Sequence, residues 1–181
     1  MSENSRRYPI EKHRYLQCVG KLFEHRIGQI FEELGFKTEI AKGQSNGVDL
    51  KVYDNEDNLI LVAELVNWCP YSKPNIQRKD NVVSNLSQYH CKRFFIYTTM
   101  KGESILDDLR LHDVSLIKIG YQILPKYFYD FYARRNQVIL RRIDSRETRQ
   151  NIKSKIMDFL QSLNRADSPC ILSNEVIVTN L

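Results

Sequence analysis

The chain has 181 residues, 42% hydrophobic and 27% charged, with a formal net charge of +5. That is enough apolar material for an ordinary core in one domain, or one domain with an appendage, and it excludes a disordered or fibrous chain. No run approaches the roughly eighteen apolar residues of a membrane span, and "MSENSRRYPIEKHRY" lacks the apolar stretch of a signal peptide, so a soluble, cytoplasmic protein without a membrane partner is expected.

In chain order, residues 11–34 repeat apolar side chains at helical spacing, with Phe23, Ile27, Ile30, Phe31 and Leu34 on one stripe that stops at Gly35. "FKTEIA" predicts a strand, "KGQSNG" a turn, "VDLKVY" a second strand, "DNEDN" a polar turn and "LILVAELV" a third strand. Three strands in succession suggest a meander. After "NWCPYSKP" the spacing turns helical over residues 75–91, with Ile76, Val82, Val83, Leu86 and Tyr89 facing the core. "RFFIYTT" reads as a buried strand, "SILDDLRLHD" as a short helix and "VSLIKIG" as a further strand. The aromatic stretch "YQILPKYFYDFY" comes next, then a strand at "QVILRRI". Asp144 and Glu147 have the spacing of a capping box and open a helix to about Leu163, with Ile152, Ile156, Phe159, Leu160 and Leu163 inside. "ILSNEVIVTNL" suits an edge strand.

The charge is uneven. Residues 126–165 carry 10 Lys and Arg against 4 Asp and Glu, while residues 1–125 carry 17 against 16. Such a block is either a solvated face or a surface that tracks phosphates, where neutralisation releases counterions.

The chemistry centres on two carboxylates. Side chains alternate along a strand, so Asp49 shares a face with Lys51 and Tyr53, and Glu64 with Val62 and Val66. A hairpin folding about the middle of "DNEDN" pairs residues whose numbers sum to roughly 113, which sets Asp49 opposite Glu64. Two like charges at cross-strand distance repel unless a cation lies between them, and a hard divalent ion such as magnesium takes few carboxylates and keeps several waters. A register shifted by one would instead send each acid to solvent at a sheet edge. Glu24, next to Phe23 on the first helix, is a third acid able to lean over the pair.

The order of "GKLFEHRIGQIFEELGF", "GVDL", "AELVNW" and "FFIYTT" resembles the PD-(D/E)XK nuclease superfamily, and within it the Mrr-type restriction endonucleases and archaeal Holliday junction resolvases. The resemblance covers about residues 20–125. It implies a restriction-endonuclease-like α/β fold, an αβββαβ core in residues 1–125 with a central mixed sheet flanked by helices. Residues 126–181 would be a basic helical and strand extension packed on that core. It further implies that Glu24, Asp49 and Glu64 are the family's acids, that Asp49 and Glu64 with the Leu65 carbonyl hold magnesium (or manganese), and that Glu24 assists through water. The substrate implied is DNA, cleaved hydrolytically in restriction, recombination or repair. Likeness to the junction resolvases also implies a homodimer.

The match departs from the family at Val66, where a lysine normally positions or activates the attacking water. Without a cation there, activation of that water falls to the metal alone and the developing negative charge loses a stabiliser. Lys51 is favoured as a displaced catalytic lysine, although it sits opposite Val62, roughly 13 Å of strand from Val66, and approaches from the other side. Lys73, Lys79 and the neutral Gln77 are further candidates. A catalytically degenerate nuclease fold, serving as a DNA-binding or assembly subunit, is the alternative that Val66 raises.

Expected DNA contacts are Ser45 in the turn before Asp49, Lys73, Lys79, and Arg134, Arg135, Arg141 and Arg142 in the basic segment. The spacing of "KYFYDFYARR" favours core packing or a dimer contact over base stacking, and Trp68 is read as core. Cys18, Cys69, Cys91 and Cys170 form no CxxC and are expected to be reduced and mostly packed. The four histidines show no ligand spacing, and no Gly-rich phosphate loop is present.

Overall fold

Helix α1 spans Tyr8–Glu33 in the structure, a computed structural model that describes residues 8–42, 47–69, 76–100, 104–133 and 140–166. Its stripe of Phe23, Ile27, Ile30, Phe31 and Leu34 is buried as expected. The helix ends because Gly35 takes φ 93°, a conformation that costs glycine nothing. The Gly35 N–H then donates to the Glu32 carbonyl at 3.0 Å and the Phe36 N–H to Phe31 at 3.1 Å, with the Phe31 and Phe36 rings edge to face at 6.2 Å. A Cβ at Gly28 would stand 2.9 Å from Ile40 Cδ1, so this glycine is what lets α1 lie close on the first strand.

Strands β1 (Lys37–Ile40), β2 (Leu50–Tyr53) and β3 (Leu59–Val66) form the antiparallel meander. The polar turn between β2 and β3 is built on Asp54, whose Oδ1 accepts the N–H groups of Glu56 and Asn58 at 2.9 Å each. Helix α2 (Ile76–Ser87) crosses to β4 (Lys92–Tyr97), and α3 (Ser104–Leu111) crosses to β5 (Ser115–Lys118). Both crossovers give parallel neighbours, so the five-stranded sheet is mixed, in the order β1-β2-β3-β4-β5. β3 lies at its centre, and its last six residues are buried, as befits a strand covered on both faces.

The chain therefore builds an α/β fold with helices on both faces of the sheet. One face carries α1 and α5 (Arg146–Ala166), which join Leu50, Val52, Leu61, Leu65, Phe94 and Ile96 in one apolar cluster. The other carries α2 and α3 over Val48, Val62, Val66, Phe95 and Tyr97. The C-terminal segment shares the first cluster, since α5 contributes Ile152, Ile156 and Leu160, and Phe159 meets the Phe94 ring edge to face at 5.4 Å.

Residues 121–133 resolve the aromatic stretch into β6 (Gln122–Leu124) and α4 (Lys126–Ala133), and β6 pairs in parallel with β7 (Leu140–Arg142). The cap of α5 differs from the one expected. Ser145 Oγ accepts the Thr148 N–H at 3.4 Å, while Asp144 turns back to Arg142, because a guanidinium two residues away offers it two charge-assisted bonds. Cys18 is exposed rather than packed, and Cys69 and Cys91 are half-buried. Among the described residues no helix is long and apolar enough to cross a membrane. The expected C-terminal strand and Cys170 lie outside the described residues.

Candidate functional site

The β2–β3 register pairs Leu50 with Ala63, Lys51 with Val62 and Val52 with Leu61, each pair summing to 113. Extended by one residue it sets Asp49 against Glu64, and the shifted register is excluded. Asp49 Oδ2 accepts the Leu65 N–H at 2.8 Å, which pins the carboxylate at the mouth of the strand pair. Successive strand residues direct their carbonyls to opposite sides. Val66 O takes the Thr98 N–H on the β4 side, so the Leu65 carbonyl is directed to the Asp49 side.

Glu64 is only 2% exposed. Burial, and then the neighbouring Asp49 charge, push its carboxyl up to about 8, against an opposing hydrogen bond from Asn85 and the nearby Arg78 charge. Asn85 on α2 donates to Glu64 Oε1 at 2.9 Å and to the Gly47 carbonyl at 3.3 Å, and Arg78 Nη2 stands 4.0 Å from Glu64 Oε2. Glu24 is also buried, and burial raises its carboxyl. Lys21, bonded at 2.6 Å, opposes that rise, and the Asp49 charge adds to it. Lys21 Nζ also reaches the Ala41 carbonyl at 3.4 Å, and the Ala41 N–H donates to the Asp49 carbonyl at 3.0 Å, which ties α1 to the mouth of the hairpin. Three carboxylates are thus met by two cations, Lys21 at Glu24 and Arg78 at Glu64, and burial favours the neutral form of Glu64.

Lys51 is not brought to these acids. It stands directly across β1–β2 from Glu39 and bonds it at 3.0 Å, and Tyr53 Oη donates to the same carboxylate at 3.0 Å. The nearest cross-strand charge captures a long side chain before a more distant one does. Lys79 is likewise held by Asp108 on α3 at 2.7 Å. Gln77 is exposed on α2. Val66 packs among Val62, Val82 and Tyr97. Arg142 is held by Asp144 at 2.5 Å, and Arg141 stands 3.7 Å from Glu147 and over the Tyr121 ring. Ser45, Lys73, Arg134 and Arg135 lie outside the described residues.

Lys21, Arg78 and Asn85 were not singled out from sequence. Their signal is spacing: Lys21 precedes Glu24 by one helical turn, and Arg78 and Asn85 lie two turns apart on one face of α2. Two of the motif elements prove to hold the scaffold. Asn67 donates to the Ile123 carbonyl at 2.6 Å and accepts its N–H at 3.1 Å, which joins the end of β3 to β6. Thr98 and Thr99 donate to the Trp68 carbonyl at 2.8 and 2.7 Å, fixing the loop that follows Glu64.

The donors gathered at the mouth are hard oxygens. Among the described residues no three acidic, histidine or cysteine side chains stand close enough to enclose a cation by themselves. Two carboxylates and a carbonyl would therefore leave the rest of a coordination sphere to water, a partition that suits magnesium or manganese. No protein-family model matches the chain, and no curated protein does. A solved structure described as a protein of unknown function, AF1548, is similar over 88% of this chain and 96% of that one, at 12% identity and a TM-score of 0.41.

Proposed function

We propose that this chain is a metal-dependent DNA endonuclease with a restriction-endonuclease-like core of the PD-(D/E)XK type. The observation that carries the reading is the buried, register-matched pair Asp49 and Glu64, with Glu64 raised to about 8 by burial and by its neighbour. A fold holds two carboxylates together at this cost where their charge has a use, and perturbed buried acids mark sites of chemistry. Asp49, Glu64 and the Leu65 carbonyl would hold magnesium or manganese, with Glu24 reached through water. When bound, the ion would supply Lewis-acid stabilisation and an acidified water. Arg78, 4.0 Å from Glu64 on α2, would offset charge developing on a phosphodiester, the task that Val66 cannot perform and from which Lys51 is held away by Glu39.

The basic segment adds the affinity for DNA phosphates, although Arg149 and Lys153 both contact Glu33, so part of its surplus is neutralised within the fold. Assembly as a homodimer belongs to the same proposal and is measured by light scattering. The burial of Val66 in an apolar cluster favours a second reading, a nuclease fold that binds DNA without cutting it.

The test pairs thermal melts with and without manganese with a plasmid-nicking assay, on wild type, Asp49→Asn and Glu64→Gln. Manganese is expected to raise the wild-type melting temperature and support nicking, and both effects vanish in the amide variants. Metal stabilisation without nicking selects the second reading. No metal effect on any protein refutes the metal site.

A further inference from the structure

Next to the mouth of the β2–β3 hairpin lies a cleft of about 480 Å³ whose lining includes Glu39, Ala41, Lys42, Gly47, Lys51 and Tyr89. It shares a wall with the site. Ala41 holds the Asp49 carbonyl through its N–H, and one Asn85 amide nitrogen contacts both the Gly47 carbonyl and Glu64 Oε1. A polymer bound with one phosphodiester at Asp49 and Glu64 would meet this cleft across that shared wall.

The lining combines three chemistries. Tyr89 is a half-buried aromatic side chain, packed against the second apolar cluster and lining the cleft. Lys42 is an exposed cation on the rim. Glu39 is kept ionised by hydrogen bonds from Lys51 and then Tyr53, which hold its carboxyl below the usual range and leave it an acceptor for N–H groups. A phosphate alone would meet Glu39 unfavourably, whereas a nucleotide places its phosphate at the rim and its base inside. The wall of β1 and β2 is a register-matched strand pair with Lys51 directly opposite Glu39.

We infer that this cleft is a nucleotide pocket that receives one unstacked base adjoining the phosphodiester at Asp49 and Glu64, stacks it on Tyr89, accepts its amino group at Glu39 and meets its phosphate at Lys42. The inference rests on the nuclease reading for the position of that phosphodiester. It goes further in assigning the substrate an unpaired nucleotide beside the cut and a preference for bases bearing amino groups.

The test uses labelled single-stranded octamers of dA, dC and dT, and a control octamer in which every nucleotide is abasic, measured by anisotropy in calcium with wild type, Tyr89→Leu, Tyr89→Phe and Glu39→Gln. Wild type is expected to bind dA and dC more tightly than dT, and the intact strand about tenfold more tightly than the abasic one, as stacking of one base on an aromatic ring provides. Tyr89→Leu should lose the preference for the intact strand while Tyr89→Phe keeps it, and Glu39→Gln should narrow the gap between dC and dT. Equal binding of intact and abasic strands by wild type overturns the pocket, as does an unchanged preference in Tyr89→Leu. Manganese-dependent nicking, run alongside, keeps the two ideas apart: nicking with no base preference removes the pocket and leaves the nuclease, whereas base preference without nicking keeps the pocket as part of a binding-only protein.

Discussion

Replacing Glu64 by glutamine exchanges one oxygen for an amide group and removes the ability to ionise from a site that is only 2% exposed. In the folded protein the glutamine Oε1 keeps the Asn85 hydrogen bond, now 2.9 Å, and the neutral amide is not repelled by the Asp49 charge. A carboxyl raised from 4.5 to about 8 binds its proton more tightly folded than unfolded. Its contribution to stability is therefore fully present below about pH 4.5 and is lost as pH rises toward about 8. The loss amounts to about 2 kcal/mol by about pH 6 and about 4 kcal/mol by about pH 8 for the metal-free protein. Glu64→Gln escapes that loss and should be the more stable protein above about pH 6, while Glu24, also raised by burial, leaves a residual slope of the same sign. Glu39, Asp54 and Asp144 are lowered instead, so their opposite slopes fall in more acidic solution. Urea titrations between about pH 4.5 and about pH 8 in chelator measure the difference directly. A Glu64→Gln protein that parallels wild type, or that is less stable near pH 8, would refute the buried-pair reasoning.

Asn67→Ala should destabilise the protein by about 3 kcal/mol, because the Ile123 N–H and carbonyl lose a buried partner and α5 loses part of its anchorage; denaturant melts measure it. Gly35→Ala should cost about 1–2 kcal/mol, since φ 93° is unfavourable for any residue with a Cβ, and a melt unchanged from wild type would contradict that backbone conformation. Charge reversal of Arg134, Arg135, Arg141 and Arg142 should weaken DNA binding and flatten its salt dependence by about one unit of log–log slope for each phosphate no longer neutralised, as read by gel shift at several salt concentrations. Arg142→Glu alone should do the least harm, because Asp144 already neutralises that guanidinium.

Periodicity in the sequence determined the elements and the central pairing. The stripe of α1 and its stop at Gly35 are local, and a hairpin with a short turn has few registers that keep Leu50, Val52, Leu61, Ala63 and Leu65 on one buried face. Asp49 opposite Glu64 is one of those registers, and the structure selects it over the register shifted by one. What the tertiary structure decided is which charges meet. Lys51 and Arg78 are both cations near the pair in sequence. Only the β1–β2 register gives Lys51 to Glu39, and only the rotation of α2 about its axis brings Arg78 and Asn85 to Glu64. Asn67 and Ile123 meet across 56 residues, a partnership without any local pattern. Apolar spacing reports which face of an element is buried, since water acts on each residue alike. Hydrogen bonds and ion pairs form between particular atoms, and those partners exist only once the chain has been brought together.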